Sequence, residues 1–396
     1  YNKYDFISLD FVELLWEITA DGQKIHENRL DLPLINPSEQ KEIKLAFKNI
    51  DLNYNRELLL KIQFALKNDT SWAKKGYIIA WDQFEISPGR KRFIDNNVDS
   101  MSNLDLNENG NFVDIYSEEF AIKINKKSGA IETLIYKDKI LISNPILPNF
   151  WRAPTDTDLG LSWIFPSKKF RKTYWKKASE KRIVENVEVK RLSSQIIQIN
   201  VIFSIPNNNS NYENIYTIKG NKEILIENKF TPSKDMIKFG MQMGIPLEFN
   251  KIKWYGRGPH ENYWDRKLGA AIGIYSHTID EFIYNYVRPQ ENANRCDVRW
   301  IQFTNKEGMG ISILGMPLLS VSAWPYSLDD LENATHINEL PKREIITVNI
   351  DYQQKGVGSQ LTESCLAHGE PTLKKYRLEA NKAYSYKFKL KPIVFE

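Results

Sequence analysis

Leu60-Lys61-Ile62-Gln63-Phe64-Ala65-Leu66 places an apolar side chain at every even position, with Lys, Gln and Ala between them. Side chains on an extended strand point to alternate faces, so a period of two marks a strand with one face buried. The same alternation spreads outward from this stretch. Leu14, Trp16 and Ile18 show it, as do Ile43, Leu45 and Phe47, and then Tyr77, Ile79 and Trp81. Asp21-Gly22, Asn36-Pro37 and Asn68-Asp69 supply turn chemistry between the runs. Short strands at this spacing predict a β-sandwich of immunoglobulin type over residues 1–88, without the cysteine pair of antibody domains.

After Ser87-Pro88-Gly89 the pattern stops, and Asp95 to Asn111 contains six Asn and little to bury. Residues 89–111 therefore read as a linker. Alternation resumes at Phe112. Lys127-Ser128-Gly129 turns one hairpin, and Gly220-Asn221 joins Ile215–Lys219 to Glu223–Phe230 in another. Strand signals run on to Phe395. Residues 112–396 thus read as one large double-sheet sandwich, in an all-β chain. No strands alternate with amphipathic helices, so a (β/α)8 barrel is excluded.

At 396 residues the chain exceeds what one core supports, which agrees with two domains. Lys and Arg number 54 against 50 Asp and Glu and are dispersed among them, so no nucleic-acid footprint stands out. Gly308 to Leu328 is uncharged and long enough to span a bilayer, but it holds two Pro, three Gly and four Ser. It reads as two short buried strands joined at Gly315-Met316-Pro317, and the chain is expected to be soluble, with no membrane contact. Cys296 and Cys365 make neither a disulfide framework nor a zinc site. Because Tyr1 is preceded by no Met and no leader, the start reads as an internal cut in a longer parent. The compartment, cytoplasmic or periplasmic, stays open.

Several familiar motifs fail. Asp105–Tyr116 opens like a calcium loop but ends in Tyr where a bidentate Glu is required. The five His residues show no metal-ligand spacing, and there is no Gly-x-Ser-x-Gly elbow. Three segments remain: Asn149–Gly160, Trp254–Lys267 and Tyr286–Trp300. Each mixes Arg, Asp or Glu, Asn and aromatic rings around Gly or Pro. Those are the ingredients of a sugar site, with rings for apolar C–H faces and forked polar groups for hydroxyl pairs. They are equally the ingredients of Arg–carboxylate pairs that pin long loops. Candidate carbohydrate contacts are Trp151, Arg152, Arg257, His260, Glu261, Tyr263, Trp264, Arg288, Glu291 and Arg299.

Arg152-Ala153-Pro154-Thr155-Asp156-Thr157-Asp158-Leu159-Gly160, Gly256–Arg266 and Pro289-Gln290-Glu291-Asn292 resemble, almost position for position, the signatures of the C-terminal domain of lac-type β-galactosidases of glycoside hydrolase family 2. Asn2–Phe6, Trp72 and Ile79–Phe84 resemble the small immunoglobulin-like domain that follows the barrel in that family. The resemblance covers essentially the whole chain. It implies a large supersandwich of galactose-mutarotase type for residues 112–396. It also implies that the two hydrolytic carboxyls, and any Mg or Na ions, belong to a barrel outside this chain, so no catalytic residue and no cofactor is expected here. Glu261, Asp265 and Glu291 are expected to make Arg-paired structural contacts. The family's late Gly-x-Gly loop carries a stacking Trp. Here the matching stretch is Gly356–Cys365, two residues longer, with Cys365 in the place of that Trp.

Under this reading the partners are a galactoside, the parent's own barrel and, in an oligomer, further copies. A rival reading is a carbohydrate-binding module with Trp151, Arg257, His260, Tyr263, Trp264 and Arg299 exposed together on one concave face. A mutarotase-type enzyme is disfavoured, because His260 and Glu261 are adjacent and on a strand would point to opposite faces. Two ionisable carboxyls converging in a sealed pocket would overturn the helper role. The natural glycan, the linkage and the oligomeric state are not encoded in any motif.

Overall fold

In the computed structural model, which describes residues 1–46, 55–89, 101–159, 173–358 and 372–395, Asp21 and Gly22 adopt φ of 49° and 80° and turn the first hairpin. That hairpin joins β1 (Val12–Ala20) to β2 (Gln23–Asp31); β3 (Glu57–Leu66) and β4 (Ile78–Pro88) complete an antiparallel sheet of order β2-β1-β3-β4. The register sets Leu14 opposite Phe64, Trp16 opposite Ile62 and Ile18 opposite Leu60. The two alternations therefore fall on one face, and a slip of one residue would turn every one of them to the other side.

Among the described residues, that face is covered by the segments carrying Leu32, Ile43 and Leu45. Leu32 is buried with Val12, Leu14 and Leu66, and Ile43 and Leu45 pack on the same cluster without forming a strand among the described residues. The alternation at Ile43 and Leu45 thus marks a covering segment; Phe47, its third member, lies outside the described residues. Asn2, fully buried, anchors this cover by donating to the carbonyls of Ile7 (2.9 Å) and Ile35 (3.1 Å). These residues belong to one compact unit, Tyr1–Asp95 with Ala271–Ile274; the second comprises Asn96–Ala270 and Tyr275–Glu396.

The later strands are β5 (Asp105–Asn109), β6 (Phe112–Ser117), β7 (Phe120–Asn125), β8 (Ala130–Tyr136), β9 (Lys139–Ile142), β10 (Asn144–Asn149), β11 (Ile183–Ser193), β12 (Ile196–Ser204), β13 (Tyr212–Lys219), β14 (Ile224–Phe230), β15 (Lys238–Pro246), β16 (Lys251–Gly258), β17 (Ala271–Thr278), β18 (Arg295–Thr304), β19 (Met309–Trp324), β20 (Ile345–Gln354) and β21 (Tyr384–Val394). These seventeen join in one network. Strand β5 lies inside the stretch read as linker and pairs along its length with β6. Its side chains are mostly exposed, so the backbone pairs while no apolar rhythm appears in the sequence. Gly308–Leu328 differs from its reading too. It contains one long strand, β19, whose partner changes near Gly315–Pro317: Met309–Met316 pair with β21, and Ser320–Trp324 pair with β20.

Between the ladders lies one apolar core. Ile197, Ile199, Val201 and Phe203 of β12 meet Ile224 and Ile226 of β14, with Phe239, Val348, Ile350 and Phe388 in the same cluster. Helix α1 (Thr173–Glu180) adds Trp175, buried, whose indole N–H donates to the Asp235 carbonyl at 2.8 Å. No helix among the described residues is long and apolar enough to cross a membrane.

Candidate functional site

Arg152 follows β10 and is 1% exposed. Burying a guanidinium is costly unless every N–H is answered. Its Nε and Nη2 donate to Asp158 Oδ2 (3.2 and 3.1 Å), its Nη1 to Gln354 Oε1 (3.0 Å) and to the Lys355 carbonyl (2.6 Å), and its Nη2 to the Gly356 carbonyl (3.3 Å). Asp158 also accepts from the Thr155 amide and hydroxyl, both at 3.1 Å. Despite burial the guanidinium is held above its usual pKa, because Asp158 and Glu291 outweigh desolvation.

The second and third segments are tied to each other and to the first. Glu261 Oε1 accepts from Arg266 Nη2 (2.6 Å) and from the Tyr286 hydroxyl, and its Oε2 accepts from the Ala293 amide (2.9 Å). The Asn262 amide donates to the Asn294 carbonyl (2.8 Å), while Asn294 Nδ2 donates back to the Asn262 carbonyl (2.7 Å). Gln290 donates to Asp156 Oδ2 at 2.9 Å, linking the third segment to the first. Gln354 is the hub: it accepts from Arg152 and donates to Glu291 Oε1 (3.1 Å) and Asn294 Oδ1 (3.0 Å). Asp265 spends both carboxylate oxygens on the amides of Val357 (3.0 Å) and Gly358 (2.7 Å). A Cβ on Gly356 would sit 2.5 Å from the Asp265 carboxyl carbon, so only glycine permits this grip. All three segments thus converge on residues 354–358.

Of the three expected Arg-paired carboxylates, only Glu261 behaves so. Asp265 answers backbone amides, and Glu291 answers Gln354; backbone N–H groups and a carboxamide satisfy a carboxylate as well as a guanidinium does, and spacing cannot distinguish them. Trp151 and Tyr263 are 2% and 1% exposed and face inward, the Trp151 indole donating to Glu332 at 3.2 Å. They do not share an open face with His260, which is exposed, or with Arg257, Trp264 and Arg299, which are half-buried. Arg257 is committed to Asp297 (Nε to Oδ2, 2.5 Å), Arg299 lies over the Tyr255 ring, and Arg288 is exposed. Cys365 lies outside the described residues. Cys296 is buried and free, its thiol pushed up to about 12 by burial. Such a thiol is inert.

Beneath the hub lies a buried ionic nest that the sequence reading missed. Lys238 Nζ stands 3.1 Å from Asp351 Oδ2 and donates to Asn349 Oδ1 at 2.9 Å; both charged groups are about fully buried. Burial pushes the Asp351 carboxyl up to about 7 against the pull of Lys238, and Glu291 adds repulsion. Burial raises Glu291 as well, against Lys238, Gln354 and Arg152. Glu291 Oε2 and the Tyr263 hydroxyl find no hydrogen-bond partner. The visible signal was Asn349 and Asp351 interleaved with Val348 and Ile350 in a buried stretch of β20.

The backbone of β15 closes over the Asp351 carboxyl: a Cβ on Gly240 would lie 1.8 Å from Asp351 Oδ1, so no ligand reaches it from that side. No three His, Cys, Asp or Glu side chains among the described residues come together as metal ligands.

An open hollow of about 230 Å³ is lined by Trp264, Lys267, Cys296, Asp297, Tyr352 and Gln353 with Pro317 to Ser320. Asp297 is its only carboxylate, held by Lys267 (2.8 Å) and Arg257.

The chain is mostly β-structure with its signature loops locked onto one another, and comparison with known families gives its class. Residues 116–390 match the family described as beta galactosidase small chain, and residues 1–87 match beta-galactosidase, domain 4. The chain belongs to the β-galactosidase family. It is 32% identical over 396 residues to a β-galactosidase of Priestia megaterium, covering 99% of this chain and 37% of that one. To a β-galactosidase of Halalkalibacterium halodurans it is 26% identical over 380 residues, covering 94% and 37%. The chain therefore spans little more than a third of the length of these relatives. Among solved structures, galactose 1-epimerase from Lactobacillus acidophilus overlays 75% of the chain at a TM-score of 0.46 and 7% identity.

Proposed function

We propose that this chain is the C-terminal, non-hydrolytic part of a retaining β-galactosidase acting on terminal β-galactosides. Its role is to buttress the barrel and to present the loop that begins at Gly356 to the sugar site. The observation that carries this reading is the fate of the signature polar groups. Arg152, Asp265, Glu291 and Gln354 spend themselves on one another and on the backbone at 355–358. They hold a loop base in place and offer no acid and nucleophile. The relatives named β-galactosidase are nearly three times as long, which leaves room for a barrel carrying both carboxyls and the Mg and Na sites. Phe6, Trp72 and Tyr77 of the first unit are 94%, 63% and 55% exposed, as apolar side chains are where a larger protein covers them. The test is direct. The purified 396-residue chain should give no turnover of nitrophenyl β-galactoside; turnover proportional to chain concentration overturns the reading.

A further inference from the structure

We propose that the hollow over β18, β19 and β20 is a binding site for a single pyranose ring, independent of any hydrolysis. Its volume, about 230 Å³, lies below the roughly 300–1,000 Å³ of drug-sized pockets and suits one small polar ring. Two aromatic side chains line it. Trp264 is braced edge-on by Tyr376, with centroids 5.7 Å apart, so its ring is held in place before any ligand arrives. Tyr352 is fixed on its inner side by Phe239 and Tyr386. The C–H face of a pyranose packs on such rings while its hydroxyls seek donors and acceptors at the edge.

The polar groups needed there are present and unspent. Among the described residues the Trp264 indole N–H, the Tyr352 hydroxyl and the Gln353 carboxamide have no hydrogen-bond partner. This sets the hollow apart from the neighbouring signature cluster, where nearly every group is answered. Asp297 keeps acceptor capacity beyond the donors it receives, since a carboxylate takes about four. Lys267 directs its ammonium at Asp297, 2.8 Å away, so it is not a free anchor for an anion. Pro317 and Leu318 supply an apolar rim. A neutral polyhydroxylated ring answers all of these demands together; a purely apolar ligand would strand the carboxamide and the hydroxyl.

The probe is methyl β-D-galactopyranoside, with methyl β-D-glucopyranoside as the stereochemical arm, titrated against the 396-residue chain. Saturation transfer from protein to sugar and quenching of tryptophan fluorescence are the readouts. We expect a dissociation constant on the order of 1 mM, as for a small ligand with few anchoring atoms. Trp264→Ala should weaken binding about tenfold, the scale of one lost aromatic contact. Gln353→Ala, at a half-buried position and with an unchanged circular dichroism spectrum as the check on folding, should weaken it several-fold, and exposed His260→Ala should leave it unchanged. Absence of transfer to both sugars at 50-fold the expected constant overturns the proposal, as does undiminished binding in the Gln353→Ala chain. Binding is read on this chain alone and hydrolysis on nitrophenyl galactoside, so either reading can fail while the other stands.

Discussion

Asp297 on β18 and Asp351 on β20 are both carboxylates set into the large unit, yet their protonation moves in opposite directions. Desolvation works against both. At Asp297 it is outweighed by Lys267 and Arg257, which hold the carboxyl below its usual value. At Asp351 one ammonium, Lys238, meets complete burial and the repulsion of Glu291, and the carboxyl rises to about 7. The difference shows that one close cation does not compensate a fully buried carboxylate, while two suffice at the edge of an open hollow.

The largest expected effect comes from widening that contrast. Lys238→Met removes the one cation paired with Asp351 among the described residues and a donor from Asn349, and should cost roughly 5 kcal/mol at pH 8, the upper end for breaking a buried pair. Urea midpoints measure it, and the loss should shrink at pH 5, where Asp351 carries its proton. Next in size is the pH dependence of the unaltered chain. Folded Asp351 holds its proton more tightly than the unfolded chain does, so its contribution is complete below about pH 3.8 and is lost as pH rises through about 7. The loss should reach up to about 4 kcal/mol, and Asp351→Asn should flatten it. If Asp351→Asn leaves the slope between pH 4 and 7 unchanged, the assignment of that proton is wrong. Asp297 contributes with the opposite sign: its stabilisation is present above about pH 3.8 and is lost as pH falls further. Arg257→Met should therefore cost less, about 2 kcal/mol, because Lys267 remains and the site is partly wet. Glu261→Gln should cost about 1–2 kcal/mol, since its oxygen still accepts from Arg266 and Tyr286 while its amide nitrogen faces the Ala293 N–H that Oε2 had answered.

Much of the fold could be read from residue order. The alternations at Leu14–Ile18 and Leu60–Leu66 both became strands, and they face each other in register. Asp21-Gly22, Lys127-Ser128-Gly129 and Gly220-Asn221 all turn hairpins. What escaped was polar or covering: β5, whose exposed side chains carry no rhythm, and Ile43 with Leu45, which cover a sheet without joining it. At the site, the signatures located the right loops but not the fate of their groups. Trp151 and Tyr263 look like sugar platforms in sequence and are core residues in space. Gln354, which holds all three signatures together, lies in none of them.

Residue order alone settled the all-β class, the hairpin turns and the family signatures, because periodicity and turn chemistry act between near neighbours in the chain. Only the tertiary structure decided which charges are spent, which are starved and which still face water. Burial and partners come from strands far apart in sequence: Arg152 meets Gln354, Lys238 meets Asp351, and Trp264 meets Tyr376. A polar group's chemistry is set by the neighbours that folding gives it, and no local pattern encodes that encounter.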